Sequence, residues 1–313
     1  MLLLGDEAIA QAGIDAGMSG MYAYPGTPST EIMEYIQKSW EAEEKGIHRE
    51  WSANEKTAME AALGMSYAGK RAMVAMKHVG LNVAADGFIN AAITGVNGGL
   101  IVVAADDPSM HSSQNEQDSR FYGKFSFVPV LEPSSQQEAY DMVHAGFGIS
   151  EKYKVPVMLR ITTRLAHSRS GVGRMPVRDQ NKIALPGDPR QFVLLPAIAR
   201  RRYHGLLGTY EALREEPMLS SFNTFSDGSD RRLGIIAFGI SYNYLMENYP
   251  DRTIPYPVLK VASYPVDSSM FEKISASCEE LLILEEGYPI MEELMRGILS
   301  GGKPIRGRMD GAL

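Results

Sequence analysis

The chain has 313 residues, enough for one large or two ordinary domains, and its 44% hydrophobic and 22% charged residues are usual globular values. That composition argues against disorder, collagen-like repeats and coiled coil, and a formal charge of −7 (31 basic, 38 acidic residues) would repel a nucleic-acid backbone. The single cysteine, Cys278, cannot form an internal disulfide, a zinc finger or a self-contained iron–sulfur cluster.

The N-terminus, Met1-Leu2-Leu3-Leu4-Gly5-Asp6-Glu7, lacks a basic region and a signal-length apolar core. The longest apolar run, Gly99–Ala105, is far shorter than the ~20 residues of a membrane-spanning helix. A reducing, cytoplasmic setting without membrane or nucleic-acid partners is expected.

In chain order, Asp6–Ala16 reads as an Ala-rich helix closed by Gly17, and Met21–Tyr24 as a short strand. Pro25-Gly26-Thr27-Pro28-Ser29 turns the chain, with Thr27 suited to an N-cap and Pro28 to the first helical position of a helix reaching about Ser39. A charged stretch, Glu41–Lys45, precedes a strand at Ile47–Trp51, and a helix begins at Ser52–Glu55 and stops near Gly69. Ala72–Met76 is the next strand, Lys77–Leu81 a loop, and Asn82–Thr94 a helix. Leu100–Ala105, apolar without interruption, fits a strand buried on both faces. A polar loop, Asp106–Lys124, leads to a strand near Val128–Leu131, a helix capped by Ser134 or Ser135 that reaches Tyr153, and a strand at Val155–Ile161.

From Thr162 to about Arg232 periodicity weakens, which suggests a linker with helices around Leu194–Leu213. Strands at Leu233–Phe238, Val258–Val261 and Leu281–Glu285 then alternate with helices from Tyr242, Asp267 and Pro289. The expected fold class is α/β, with domains at 1–165 and 231–313 joined by a helical linker at 166–230.

Ligands of a parallel α/β sheet bind beyond the carboxyl ends of its strands. Tyr24–Ser29, Trp51–Glu55, Lys77–Asn82 and Asp106–Arg120 each follow an expected strand. Each has a plainer reading. Ser52-Ala53-Asn54-Glu55 fits a capping box, Lys77 and His78 could be solvated loop residues, Asn82 a helix cap, and Gln114–Arg120 an exposed loop. The six histidines show no ligand spacing, so no metal is expected, and Arg200-Arg201-Arg202 reads as a solvated helix turn. Glu285-Glu286-Gly287 reads as a tight turn, and neither G-x-G-x-x-G after a strand nor a P-loop occurs.

Taken together, Tyr24-Pro25-Gly26-Thr27-Pro28-Ser29-Thr30-Glu31, Trp51-Ser52-Ala53-Asn54-Glu55-Lys56, Met76-Lys77-His78-Val79-Gly80-Leu81-Asn82-Val83-Ala84 and Asp107–Asp118 resemble the thiamine-dependent 2-oxoacid:ferredoxin oxidoreductases. The likeness is closest to the large (alpha) subunit of the indolepyruvate enzymes and covers only the N-terminal portion of such a subunit. It implies a parallel-sheet thiamine pyrimidine-binding domain followed by a smaller transketolase C-terminal-like α/β domain. Glu55 is then the catalytic carboxyl group that hydrogen-bonds the pyrimidine, beside Tyr24, Pro25, Gly26 and Asn82 as cofactor-binding residues. Thr27 approaches the substrate, and Lys77, His78 and Arg120 are further substrate candidates. The implied activity is oxidative decarboxylation of a 2-oxoacid, indolepyruvate or another aryl pyruvate, to an acyl-CoA.

The Gly-Asp-Gly segment with which thiamine enzymes hold magnesium and diphosphate is not in this sequence, nor are grouped cysteines. The resemblance therefore implies a diphosphate-binding domain, with its magnesium, and iron–sulfur clusters supplied from outside this chain. Implied partners are that domain, the small (beta) subunit, ferredoxin, coenzyme A and a second copy in a homo-oligomer. The last residues, Arg308–Leu313, suggest no finishing element, so a fragment or a split subunit, inactive alone, is expected. A non-oxidative thiamine-dependent 2-oxoacid decarboxylase and a non-catalytic assembly module are the alternatives.

Overall fold

A computed structural model describes residues 1–251, 253–298, 303–307 and 310–312, so Arg308, Met309 and Leu313 of the C-terminal segment lie outside the described residues. In its first part, strands β1 (Leu2–Leu4), β2 (Gly20–Ala23), β3 (His48–Trp51), β4 (Ala72–Lys77), β5 (Leu100–Asp106), β6 (Val130–Leu131) and β7 (Val157–Thr162) interleave with helices. Those helices are α1 (Gly5–Asp15), α2 (Thr30–Lys38), α3 (Trp40–Glu44), α4 (Glu55–Tyr67), α5 (His78–Thr94), α6 (Arg120–Ser126) and α7 (Gln136–Tyr153).

Strands β2 to β7 lie parallel in the order β6-β7-β5-β4-β2-β3. The alternation of side chains along each strand divides the core between its faces. On β5, Ile101, Val103 and Ala105 join the cluster under α1, α2 and α7, while Leu100, Val102 and Ala104 join the one under α4 and α5. An uninterrupted apolar run is thus required there, because neither face meets water.

After β7 come α8 (Thr163–His167), β8 (Arg169–Gly171), a 3₁₀ turn at Pro189–Phe192, α9 (Pro196–Arg214), α10 (Pro217–Ser220) and β9 (Thr224–Ser226). Strand β8 pairs antiparallel with β1, so this stretch is more than a linker. The irregular run between β8 and α9 is laid along the first sheet's helices, Arg178 N–H donating to Asp15 O at 2.7 Å and Ala184 N–H to Ala68 O at 2.9 Å. Arg202, expected in solvent, donates to Ile93 O at 3.2 Å and to Thr94 O, closing the end of α5.

The remaining elements are β10 (Leu233–Phe238), α11 (Ser241–Glu247), β11 (Val258–Val261), β12 (Ser263–Tyr264), α12 (Ser268–Ser277), β13 (Glu280–Leu284), α13 (Ile290–Ile298) and β14 (Ile305–Arg306). They form a second sheet, β14-β13-β10-β11-β9, with β9 antiparallel. Strand β12 instead crosses over and pairs antiparallel with β6, extending the first sheet.

Two local expectations are corrected. Thr27 does not cap α2 and Pro28 is not its first residue. Ser29 N–H and Oγ–H both donate to Gly26 O at 2.9 Å, so the chain completes a turn first and the helix begins at Thr30. Helix α4 is capped by Asn54, whose side chain accepts from Thr57 N–H at 2.9 Å, and Ser52 forms no capping box with Glu55.

Candidate active site

The parallel strands put their carboxyl ends on one edge, where register aligns Ala23 with Trp51 and with Ala75, and Lys77 with Ala105. Chain order reverses at β2 and β4: β2 leads outward to β3, and the chain then passes back over β2 to β4. A crevice opens at such a switch point. The segments leaving β2 and β4 meet there, and a Cβ on Gly26 would stand 3.3 Å from Lys77 Cβ.

Helix α5 starts directly at the end of β4, at His78 rather than after a loop at Asn82. His78 is consequently buried at the first helical position, with Nε2 3.2 Å from Asn115 O and Nδ1 without a partner. This placement corrects the solvated-loop reading of His78. Asn82 lies one turn further along α5 and is no cap; its Oδ1 accepts from Tyr122 O–H at 2.6 Å.

The same early start lays Gly80 beside the first turn of α4. A Cβ at position 80 would lie 2.5 Å from Glu55 Oε1 and 2.9 Å from its Cδ. Glycine inside a helix costs about 1 kcal/mol relative to alanine, so its presence here marks a close approach. That was the signal by which the sequence could have disclosed Gly80 as part of the site. With Asn54 doing the capping, the half-buried Glu55 carboxylate accepts no hydrogen bond and joins no ion pair among the described residues.

Beyond β5, the loop is wound around Asp107. Its carboxylate accepts from His111 N–H at 3.2 Å, Ser112 N–H at 2.8 Å, Ser113 Oγ–H at 2.6 Å and Thr163 Oγ–H at 2.6 Å. Burial alone would raise the Asp107 pKa, but the Ser113 and Thr163 hydroxyls and the loop amides together hold it well below the usual carboxylate range. The loop is thereby aimed back at the other two: Lys77 Nζ donates to Ser112 O at 2.9 Å, and Ser112 Oγ–H reaches Thr27 O at 3.5 Å. Tyr24, Pro25 and Thr27 form an exposed ledge above this contact.

Arg120 does not belong to that ledge. It is buried, and every guanidinium nitrogen is engaged: Nε and Nη2 with Asp118, Nη1 with Glu285 at 2.8 Å, Nη2 also with Tyr288 O at 2.8 Å. Its guanidinium is thus committed to protein acceptors rather than presented at the ledge. Beside it the fully buried Arg160, which sequence reasoning passed over, binds Asp106 at 2.6 Å, Glu132, and Glu286 O at 2.9 Å. Burial works against the Asp118 charge, yet Arg160 and Arg120 bring its pKa to about 2. The Glu285–Gly287 turn is therefore the clamp by which the second sheet grips the first.

The sequence matches the family model described as pyruvate flavodoxin/ferredoxin oxidoreductase, thiamine diphosphate-binding, over residues 11–198. It is 46% identical to the indolepyruvate oxidoreductase subunit IorA of Pyrococcus abyssi over 304 residues, 95% of this chain and 47% of that one. The chain thus spans about half the length of the curated relatives it matches. The fold resembles the 2-oxoglutarate:ferredoxin oxidoreductase of Magnetococcus marinus, with a TM-score of 0.78, 17% identity, and coverage of 98% of this chain and 62% of that one. A split-gene transketolase, an inactive beta4 tetramer, matches 97% of this chain and 88% of its own with a TM-score of 0.56 and 16% identity.

Proposed function

The chain belongs to the pyruvate flavodoxin/ferredoxin oxidoreductase family, and from that premise we propose that it supplies the pyrimidine-binding side of the thiamine site in a cytoplasmic 2-oxoacid:ferredoxin oxidoreductase acting on aryl pyruvates such as indolepyruvate. The observation that carries this reading is the Glu55 carboxylate, half-buried, without a hydrogen-bond or ion-pair partner among the described residues, and resting on Gly80 at the switch-point edge. Residues 1–165 would form the pyrimidine-binding domain, 231–313 the smaller transketolase C-terminal-like domain, and 166–230 the connection.

The residues fit one half of thiamine diphosphate. Glu55 offers an acceptor with no competing donor, and Gly80 supplies the flat surface that lets the carboxylate turn toward a ring. Tyr24, Pro25 and Gly26 stand at the same edge, with Asn82 at its flank. When bound, the cofactor supplies a carbon nucleophile and an electron sink for decarboxylation. Glu55 would share a hydrogen bond with a ring nitrogen, the position from which a carboxyl group can take part in proton transfer. Thr27 and Lys77, linked through Ser112, would orient a 2-oxoacid, with His78 behind them. The sequence contains no Gly-Asp-Gly, so magnesium and diphosphate would be held by another segment, and iron–sulfur clusters, the small subunit, ferredoxin and coenzyme A would complete the enzyme.

The test is ferredoxin reduction by the complete enzyme containing this chain, with aryl pyruvates, pyruvate and 2-oxoglutarate. Coenzyme A-dependent reduction with aryl pyruvates preferred is the expected result. Carbon dioxide release without ferredoxin reduction would replace this reading by a non-oxidative decarboxylase.

A further inference from the structure

Asp6, Glu31 and His167 are separated by up to 161 positions and have no motif spacing, yet the fold gathers one ligand atom from each within 4.8 Å of the others. Three elements do this. Asp6 is the second residue of α1, Glu31 the second of α2, and His167 the last of α8. Gly5 makes the approach possible, because a Cβ there would run into the Leu165 carbonyl and lie 3.2 Å from Ala166 Cα, so α1 can begin directly against α8.

Asp6 is the unexplained member. It is completely buried, and neither carboxylate oxygen has a hydrogen-bond partner; Glu31 Oε2 is also unpartnered. Glu31 Oε1 faces His167 Nε2 at 3.6 Å, longer than a hydrogen bond. The first turns of α1 and α2 favour negative charge, but that dipole effect leaves the Asp6 oxygens unsatisfied. A fully buried carboxyl group with both oxygens unpartnered is costly in either protonation state, and a ligand within reach of those oxygens would satisfy it.

We propose that Asp6, Glu31 and His167 form a binding site for a divalent transition-metal ion. The donor set is two carboxylates and one imidazole, which suits zinc-like ions better than magnesium or calcium, whose sites are built of oxygen alone. Glu31 and His167 are partly exposed, so water can complete the coordination.

The site also has a consequence for the candidate active site. Glu31 follows Thr30, whose Oγ accepts from Gly26 N–H at 3.0 Å, and α8 begins at Thr163, which anchors Asp107. A bound ion would fasten the starts of α1 and α2 to the end of α8, stiffening two segments of the edge from behind.

Zn²⁺ alone is the probe, with the purified protein freed of metal by a chelator. Calorimetry should give one tight equivalent per chain, matched by a rise in melting temperature that follows ligand linkage. His167→Ala, at a partly exposed helix end where folding is not at risk, should weaken binding at least tenfold; Asp6→Asn should do the same if it folds. His48→Ala, an exposed histidine elsewhere, should leave binding intact. No saturable binding to the folded protein, or undiminished binding in His167→Ala, would overturn the proposal. Neither readout requires catalytic turnover, so failure here is separate from failure of the proposed activity.

Discussion

The carboxylate of Glu55 rests on Gly80, so near that a methyl group on the glycine would stand 2.5 Å from Oε1. One residue opens α4 and the other lies in the first turn of α5, so their meeting depends on both helices starting directly at the sheet edge. The cap of α4 is Asn54, which releases Glu55 from any duty to its own helix.

Glu55→Gln should therefore leave the melting temperature nearly unchanged, since no cap or ion pair is lost. In the complete enzyme, thiamine C2–H exchange and turnover should fall by about 10²–10⁴, the usual weight of general acid–base catalysis. Unchanged exchange would remove Glu55 from the chemistry.

Gly80→Ala tests the contact from the other side. Alanine suits a helix better by about 1 kcal/mol, but Glu55 Oε1, Cγ and Cδ all lie within 2.9 Å of the added methyl, so the Glu55 side chain must move and stability should change little. Turnover should drop because Glu55 is pushed aside. A fully active Gly80→Ala enzyme would show that the carboxylate needs no fixed position.

Arg160→Leu should be severe. Removing one partner of a buried ion network leaves Asp106 and Glu132 uncompensated, a loss of about 3–5 kcal/mol. Urea denaturation should show it, and the second sheet's clamp at Glu286 should loosen. A change below about 1 kcal/mol would mean that water replaces the guanidinium.

Acid stability should decline in two stages. Burial, then the charge of Arg178, lowers the His144 pKa to about 4, so the unfolded chain takes up a proton that the fold refuses. Stability should thus fall as pH drops from about 6.5 toward about 4. Asp107, with its depressed pKa, contributes above the unfolded value of about 3.9 and loses that contribution as pH falls further. Urea midpoints against pH should show the first stage flattened in His144→Gln and the second in Asp107→Asn; identical profiles would contradict both assignments.

The sequence by itself determined what depends on local pattern. Leu233–Phe238 and Val258–Val261 fall where apolar runs put them, and the family motifs fall at the ends of β2, β3, β4 and β5. Burial on both faces of a parallel strand writes itself into the chain as an unbroken apolar run, and a residue's place after such a strand follows from its number. What those residues do was decided by segments distant in sequence. Ser52-Ala53-Asn54-Glu55 is a good capping box on paper, but Asn54 takes the cap through Thr57 N–H, and only the packing of α4 against α5 sets Glu55 on Gly80. Arg120 looks like a solvent-facing loop residue until Glu285, 165 positions later, closes over it. Asp6, Glu31 and His167 have no relation in the sequence at all. Periodicity reports a side chain's contact with water or core, which is averaged along an element, whereas a charge's partner is set by individual distances that exist only after the chain has folded.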